Sequence, residues 1–172
     1  MSRPSKILVA GIGNIFMGDD AFGSEVARRL MDEGLPAEVQ VTDFGIRSYD
    51  LAYALMDGYD VTILVDATSQ KQSPGTVYLI EPDRGQLDQI DEMMADPHSM
   101  SPVNVLRMLR TLGSTPGKLY LIGCEPAILD VEDGRIGLSE VVEAAIPQAI
   151  ELIKSLVHDL LSEKPKMEVE TA

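Results

Sequence analysis

Residues 60–67 read DVTILVDA, a run of aliphatic and β-branched residues that opens on Asp60 and carries a second acid, Asp66, next to its end. A strand with one wet face alternates apolar and polar residues. This run does not alternate, so the strand it forms must be covered on both faces, as in a parallel sheet packed under helices. A second run of the same kind, KILVAGI, occupies residues 6–12. Between the two lie a helical stretch, an alternating strand and a second helical stretch. FGSEVARRLMDEG at 22–34 carries Val26, Ala27, Leu30 and Met31 at helical spacing, with Gly34 as the stop. AEVQVTDFG at 37–45 alternates as a strand, and SYDLAYALMDG at 48–58 returns to helix.

The second half repeats the rhythm. GTVYLIEP at 75–82 and KLYLIGCEP at 118–126 read as strands, separated by a helix that begins at Ser101, where Ser-Pro supplies a cap and a favoured first residue. LSEVVEAAIPQAIELIKSLVHDLL at 138–161 closes the fold as helix, kinked or restarted near Pro147. The expected fold is a single-domain α/β three-layer sandwich, a mostly parallel twisted sheet with helices on both faces. The domain is expected over 1–161, with a polar, disordered tail at 162–172. The run at 60–67, the most apolar, is expected at the centre.

Composition then removes several function classes. A length of 172 residues with 45% hydrophobic content suits one domain with a sizeable core. No apolar run approaches the roughly 18–20 residues that cross a bilayer, so no membrane insertion is expected. The opening MSRPSKILVAGIG lacks an apolar run ending in a cleavage site, which points to a cytoplasmic protein. A single cysteine, Cys124, excludes an internal disulfide framework and a Cys-rich zinc site. A formal net charge of −14 argues against a nucleic-acid surface, because phosphate backbones require Lys and Arg. It suits an acidic pocket for a cation or a face for a basic partner segment.

Ligands of such sheets bind beyond the carboxyl ends of the strands. At those ends stand Asn14, Asp19 and Asp20, then Asp43 and Gly45, then Asp66, Thr68 and Ser69, and finally Glu125. Carboxylates crowded at one rim repel each other and raise one another's pKa unless a cation intervenes. Two carboxylates with a neutral imidazole would suit a divalent metal. The loop GIGNIFMGDDAFG at 11–23 looks like a phosphate cradle, but its acids stand where a phosphate would sit. Asp19 is expected to cap the following helix and Asp20 to be functional. Asp66 can be a buried, hydrogen-bonded acid or a site residue, and its position favours the site. His98, in the loop PHSMSP, can be a plain surface histidine.

Other features read more simply. Cys124 ends an apolar strand with no base beside it, and is expected as core packing. His158 is expected to be solvated. GSTPGK at 113–118 precedes a strand instead of following one, so it fails as a phosphate loop. The first glycine loop has Phe16 where a dinucleotide fingerprint needs its third glycine.

GIGNIFMGDDAFG, ILVDA, the lone histidine of PHSMSP, LIGCEP and GLSEVVEAAIPQAI, in this order, resemble the hydrogenase maturation endopeptidases over residues 7–161. The resemblance implies an aspartyl-type endopeptidase that removes the C-terminal extension of a nickel-iron hydrogenase large-subunit precursor after nickel insertion. It implies that Asp20, Asp66 and His98 contact the nickel held in the precursor and serve catalysis, with other divalent metals able to substitute in vitro. A monomer is the expected form. The alternative is a non-catalytic nickel-binding maturation chaperone with the same three ligands. Relatives carry Asp-Gly-Gly-Thr after the second strand; this chain has Asp43, Phe44, Gly45 and Ile46, with Gly45 at the flexible position.

Overall fold

The computed structural model describes residues 6–81, 107, 109–113, 117–129 and 132–162. Five strands, β1 (Ile7–Ile12), β2 (Val39–Gly45), β3 (Val61–Ala67), β4 (Val77–Ile80) and β5 (Lys118–Cys124), form one sheet in the order β2-β1-β3-β5-β4. All neighbours pair parallel except β4, which runs antiparallel to β5 at the edge. The apolar run at 60–67 is therefore the middle strand, as its composition requires.

Helices α1 (Phe22–Leu30) and α3 (Glu140–Ser162) cover one face, and α2 (Ser48–Met56) covers the other. Strand side chains alternate between these layers. Ile7, Val9, Ile63 and Val65 pack with Phe22, Val26, Ile146 and Ile153. Leu8, Ala10, Ile12 and Leu64 pack with Leu51, Leu55 and Leu109 on the opposite face. Both sets are buried, which is why β1 and β3 do not alternate in sequence. Each fully buried aliphatic side chain contributes about 1.5–3 kcal/mol.

The closing helix does not restart at Pro147; it runs unbroken from Glu140. A proline in a helix frees the carbonyl four residues back, here that of Glu143. Glu143 and Pro147 are both exposed, so water can satisfy that carbonyl without ending the helix. The helix also includes Ser162, one residue into the expected tail, while 163–172 lie outside the described residues. So does the expected helix start at Ser101; residues 107 and 109–111 are helical.

Parallel pairing brings the carboxyl ends of β1, β2, β3 and β5 to one edge, and α1 begins against it. A Cβ at Gly23 would collide with the carbonyl oxygens of Val65 and Ile12. Only glycine lets the helix start press onto the ends of β1 and β3. That contact places the acids ahead of α1 beside the acid ending β3.

Candidate active site

Besides Asp43 of β2, four acids stand at this edge, and their hydrogen-bond partners sort them into two kinds. Asp19, fully buried in the 3-10 turn Gly18–Ala21, makes no cap bond to the following helix. Its Oδ2 accepts from the backbone N–H of Ala127 and Ile128, both at 2.8 Å, and from Ser139 Oγ at 2.9 Å. Its Oδ1 accepts from the Ser139 backbone N–H at 2.7 Å. Burial pushes the Asp19 carboxyl up, but these four donors prevail and hold it below its ordinary value. The expected helix cap is thus a clamp that ties the glycine loop to the segments after β5 and before α3.

Glu125 is satisfied in the same way. Its Oε1 accepts from the N–H of Gln70 at 2.8 Å, the N–H of Gln72 at 3.2 Å and the Tyr78 hydroxyl at 2.8 Å. Burial raises its carboxyl, and again the donors outweigh burial and lower it. Glu125 therefore organises the loop after β3.

Asp20 and Asp66 are the opposite kind. Asp20 Oδ2 accepts one backbone bond, from Asn14 N–H at 3.0 Å, which does not offset burial, and its pKa is raised. That amide belongs to the glycine loop; a phosphate would have needed it, and the chain's own carboxylate takes it. Asp66 is 5% exposed, and its Oδ1 finds no hydrogen-bond partner among the described residues. Burial, then the charge of Asp20, pushes its carboxyl well above the ordinary value, and a backbone bond from Ala67 does not compensate. Thr68 Oγ1, two residues on, is likewise buried and unpartnered among the described residues.

The structure thus brings together two of the three expected site residues. His98 lies outside the described residues, and among those described no three His, Cys, Asp or Glu side chains are grouped to hold a metal. Two adjacent carboxylates short of donors fit a divalent cation as partner: a cation would supply the charge balance that the protein withholds. The other readings resolve as expected. Cys124 is fully buried, and burial, then Asp19 and Glu125, pushes its thiol up to about 12. His158 is exposed.

A cleft of about 280 Å³ is lined by the glycine loop (Gly13 to Phe16), Ser24 and Arg28 of α1, and Asp43 to Arg47; it reaches the acids through Asn14, whose N–H holds Asp20. Gly45, with φ +57, sits in the left-handed region at the end of β2, and its carbonyl accepts from Gly13 N–H at 3.0 Å. Asp43 holds this turn from outside, accepting from Gly45 N–H at 3.0 Å and Arg28 Nε at 3.3 Å. Phe16 and Ile46 line the cleft and stand 58% and 60% exposed. The sequence marks Phe16 and Ile46 only as departures from known patterns, not as cleft residues; an aromatic side chain left in a glycine-rich turn was the available signal.

Residues 24–156 match the family model described as "Hydrogenase maturation protease". The hydrogenase 2 maturation protease of Escherichia coli K12 is 32% identical, over 90% of this chain and 92% of that protein. Among solved structures, the hydrogenase maturating endopeptidase HybD from E. coli superposes with a TM-score of 0.73. It shows 31% identity and covers 90% of this chain and 93% of its own. A [NiFe] hydrogenase maturation protease from Thermococcus kodakarensis KOD1 gives a TM-score of 0.65. Its identity is 25%, over 93% and 94% of the two chains.

Proposed function

This chain belongs to the hydrogenase maturation protease family and is an endopeptidase, and we propose that it removes the C-terminal extension of a nickel-iron hydrogenase large-subunit precursor after nickel insertion. One observation carries the reading. Among the described residues, Asp66 keeps a buried, unpartnered carboxylate oxygen beside Asp20, while Asp19 and Glu125 are held by several donors each. An acid this poorly solvated is retained for a cation or a proton that arrives with the substrate.

The nickel is cargo of the precursor. Asp20, Asp66 and His98 contact it, and that grip sets the scissile bond at the cleft edge formed by the glycine loop and Phe44–Arg47. An empty precursor offers no metal to set the scissile bond and is not cleaved. In the hydrolytic step a water oxygen bonds to the scissile carbonyl carbon and gives its proton to a carboxylate. The raised pKa of Asp20 and Asp66 suits either as that base. The C–N bond then breaks and the proton passes to the leaving nitrogen. Among the described residues no helix is long and apolar enough to cross a membrane, and we place the reaction in the cytoplasm.

The test compares nickel-loaded with nickel-free precursor in the presence of the purified protein. Shortening of the loaded form alone supports the reading. Cleavage of both forms at equal rates refutes nickel recognition, and tight binding without shortening identifies a chaperone.

A further inference from the structure

The outer side of α2 differs from those of α1 and α3. α1 presents Glu25, Arg28 and Arg29 in ion pairs, and α3 presents Glu143, Glu151 and Lys154. α2, SYDLAYALM, has Asp50 as its one charged residue. Leu51, Ala52 and Leu55 are buried in the core, yet Tyr49, Tyr53 and Met56 are 64%, 58% and 43% exposed. These three stand at i, i+4 and i+7, so they form one stripe along the helix. A solvated surface helix keeps its outward side polar. Exposed Tyr and Met with no Lys or Glu is instead the composition of a protein interface.

The stripe is continuous with the cleft. Ile46 and Arg47 line the cleft, α2 starts at the next residue, and Phe16 stands exposed on the same cleft. A protein whose scissile bond lies in that cleft extends over the neighbouring surface. Resting on the function proposed above, we infer that Tyr49, Tyr53 and Met56 with Ile46 form the docking surface for the folded body of the precursor. The chain's formal charge of −14 favours a partner face on which Lys and Arg ring the apolar centre. Its role is to supply affinity away from the reacting bond, so that the metal grip need only set the register.

The test is the triple variant Tyr49→Ser/Tyr53→Ser/Met56→Ser, assayed with nickel-loaded precursor after its melting temperature is shown to match the parent. KM should rise at least tenfold with kcat within twofold of the parent. An unchanged KM overturns the proposal. So does a parent protein that sediments as a dimer which the variant disperses while KM stays constant, since a second copy would then be the occupant. If the parent does not shorten the precursor, the cleavage reading fails by itself. Docking is then decided by the Kd of both proteins for that precursor: a tenfold weakening in the variant supports it, and equal values overturn it.

Discussion

Asp19 and Asp20 are adjacent, carry the same side chain and, by the structure, are opposite in environment; replacing Asp19 tests that difference. Asp19→Ala would leave three backbone N–H groups and the Ser139 hydroxyl without their acceptor in a fully buried position. Each unsatisfied buried donor costs about 1–3 kcal/mol, and partial relaxation and water entry lower the sum. A net loss of about 4 kcal/mol follows, which at this chain length lowers the melting temperature by about 8–16 °C. Asp19→Asn does not rescue it fully, because the amide turns an N–H toward a backbone donor. The pH dependence has a definite sign. The folded pKa of Asp19 is lowered, so its contribution is present above the ordinary value of 3.8 and is lost as pH falls through the folded value. Urea titrations at pH 7 and pH 3 measure this: the gap between parent and Asp19→Ala should narrow in acid. A melting temperature for Asp19→Ala within 3 °C of the parent (roughly 1 kcal/mol) would refute the clamp.

Asp66→Asn should fold as well as the parent or better, because it removes a buried charge with few donors. A carboxyl raised in the folded state stabilises while protonated, fully so below pH 3.8, and that contribution is lost as pH rises through its folded value. The thermal advantage of Asp66→Asn should therefore be largest at pH 8 and fade toward pH 4. Cys124→Ser should keep cleavage and lose about 1–3 kcal/mol from burying a hydroxyl, measured by denaturant unfolding. With its thiol pushed up to about 12, Cys124 in the folded protein should resist alkylation at pH 8. Gly23→Ala should fail to fold or lose more than about 4 kcal/mol, because the obstacle is backbone and cannot move aside. Nickel, zinc and cadmium should each bind the parent reversibly in calorimetry, weaken in Asp66→Asn, and leave with chelator without unfolding the chain.

The architecture was largely legible because it depends on local pattern. Unalternating runs at 6–12 and 60–67 announced strands covered on both faces, and each of the five strands formed where composition placed it. The position of Asp66 was legible for the same reason: an acid beside the end of a largely apolar strand stands at the carboxyl edge of a parallel sheet. The partners that set Asp19 and Glu125 apart were not legible. Asp19 is set apart by donors 108 to 120 residues further along the chain, which no local signal couples to it. Glu125 gains its partners from a loop about 55 residues earlier. The passage of α3 through Pro147 depended on which side of the helix faced water, a property of packing rather than of the proline.

The most direct measurement is the single-turnover rate of Asp66→Asn on nickel-loaded precursor, taken beside its melting curve. If Asp66 is a site residue kept at some cost to stability, processing should fall by at least about 100-fold, while the melting temperature equals or exceeds that of the parent. A variant that cleaves within tenfold of the parent, or one whose lost activity is matched by a lower melting temperature, would contradict the account.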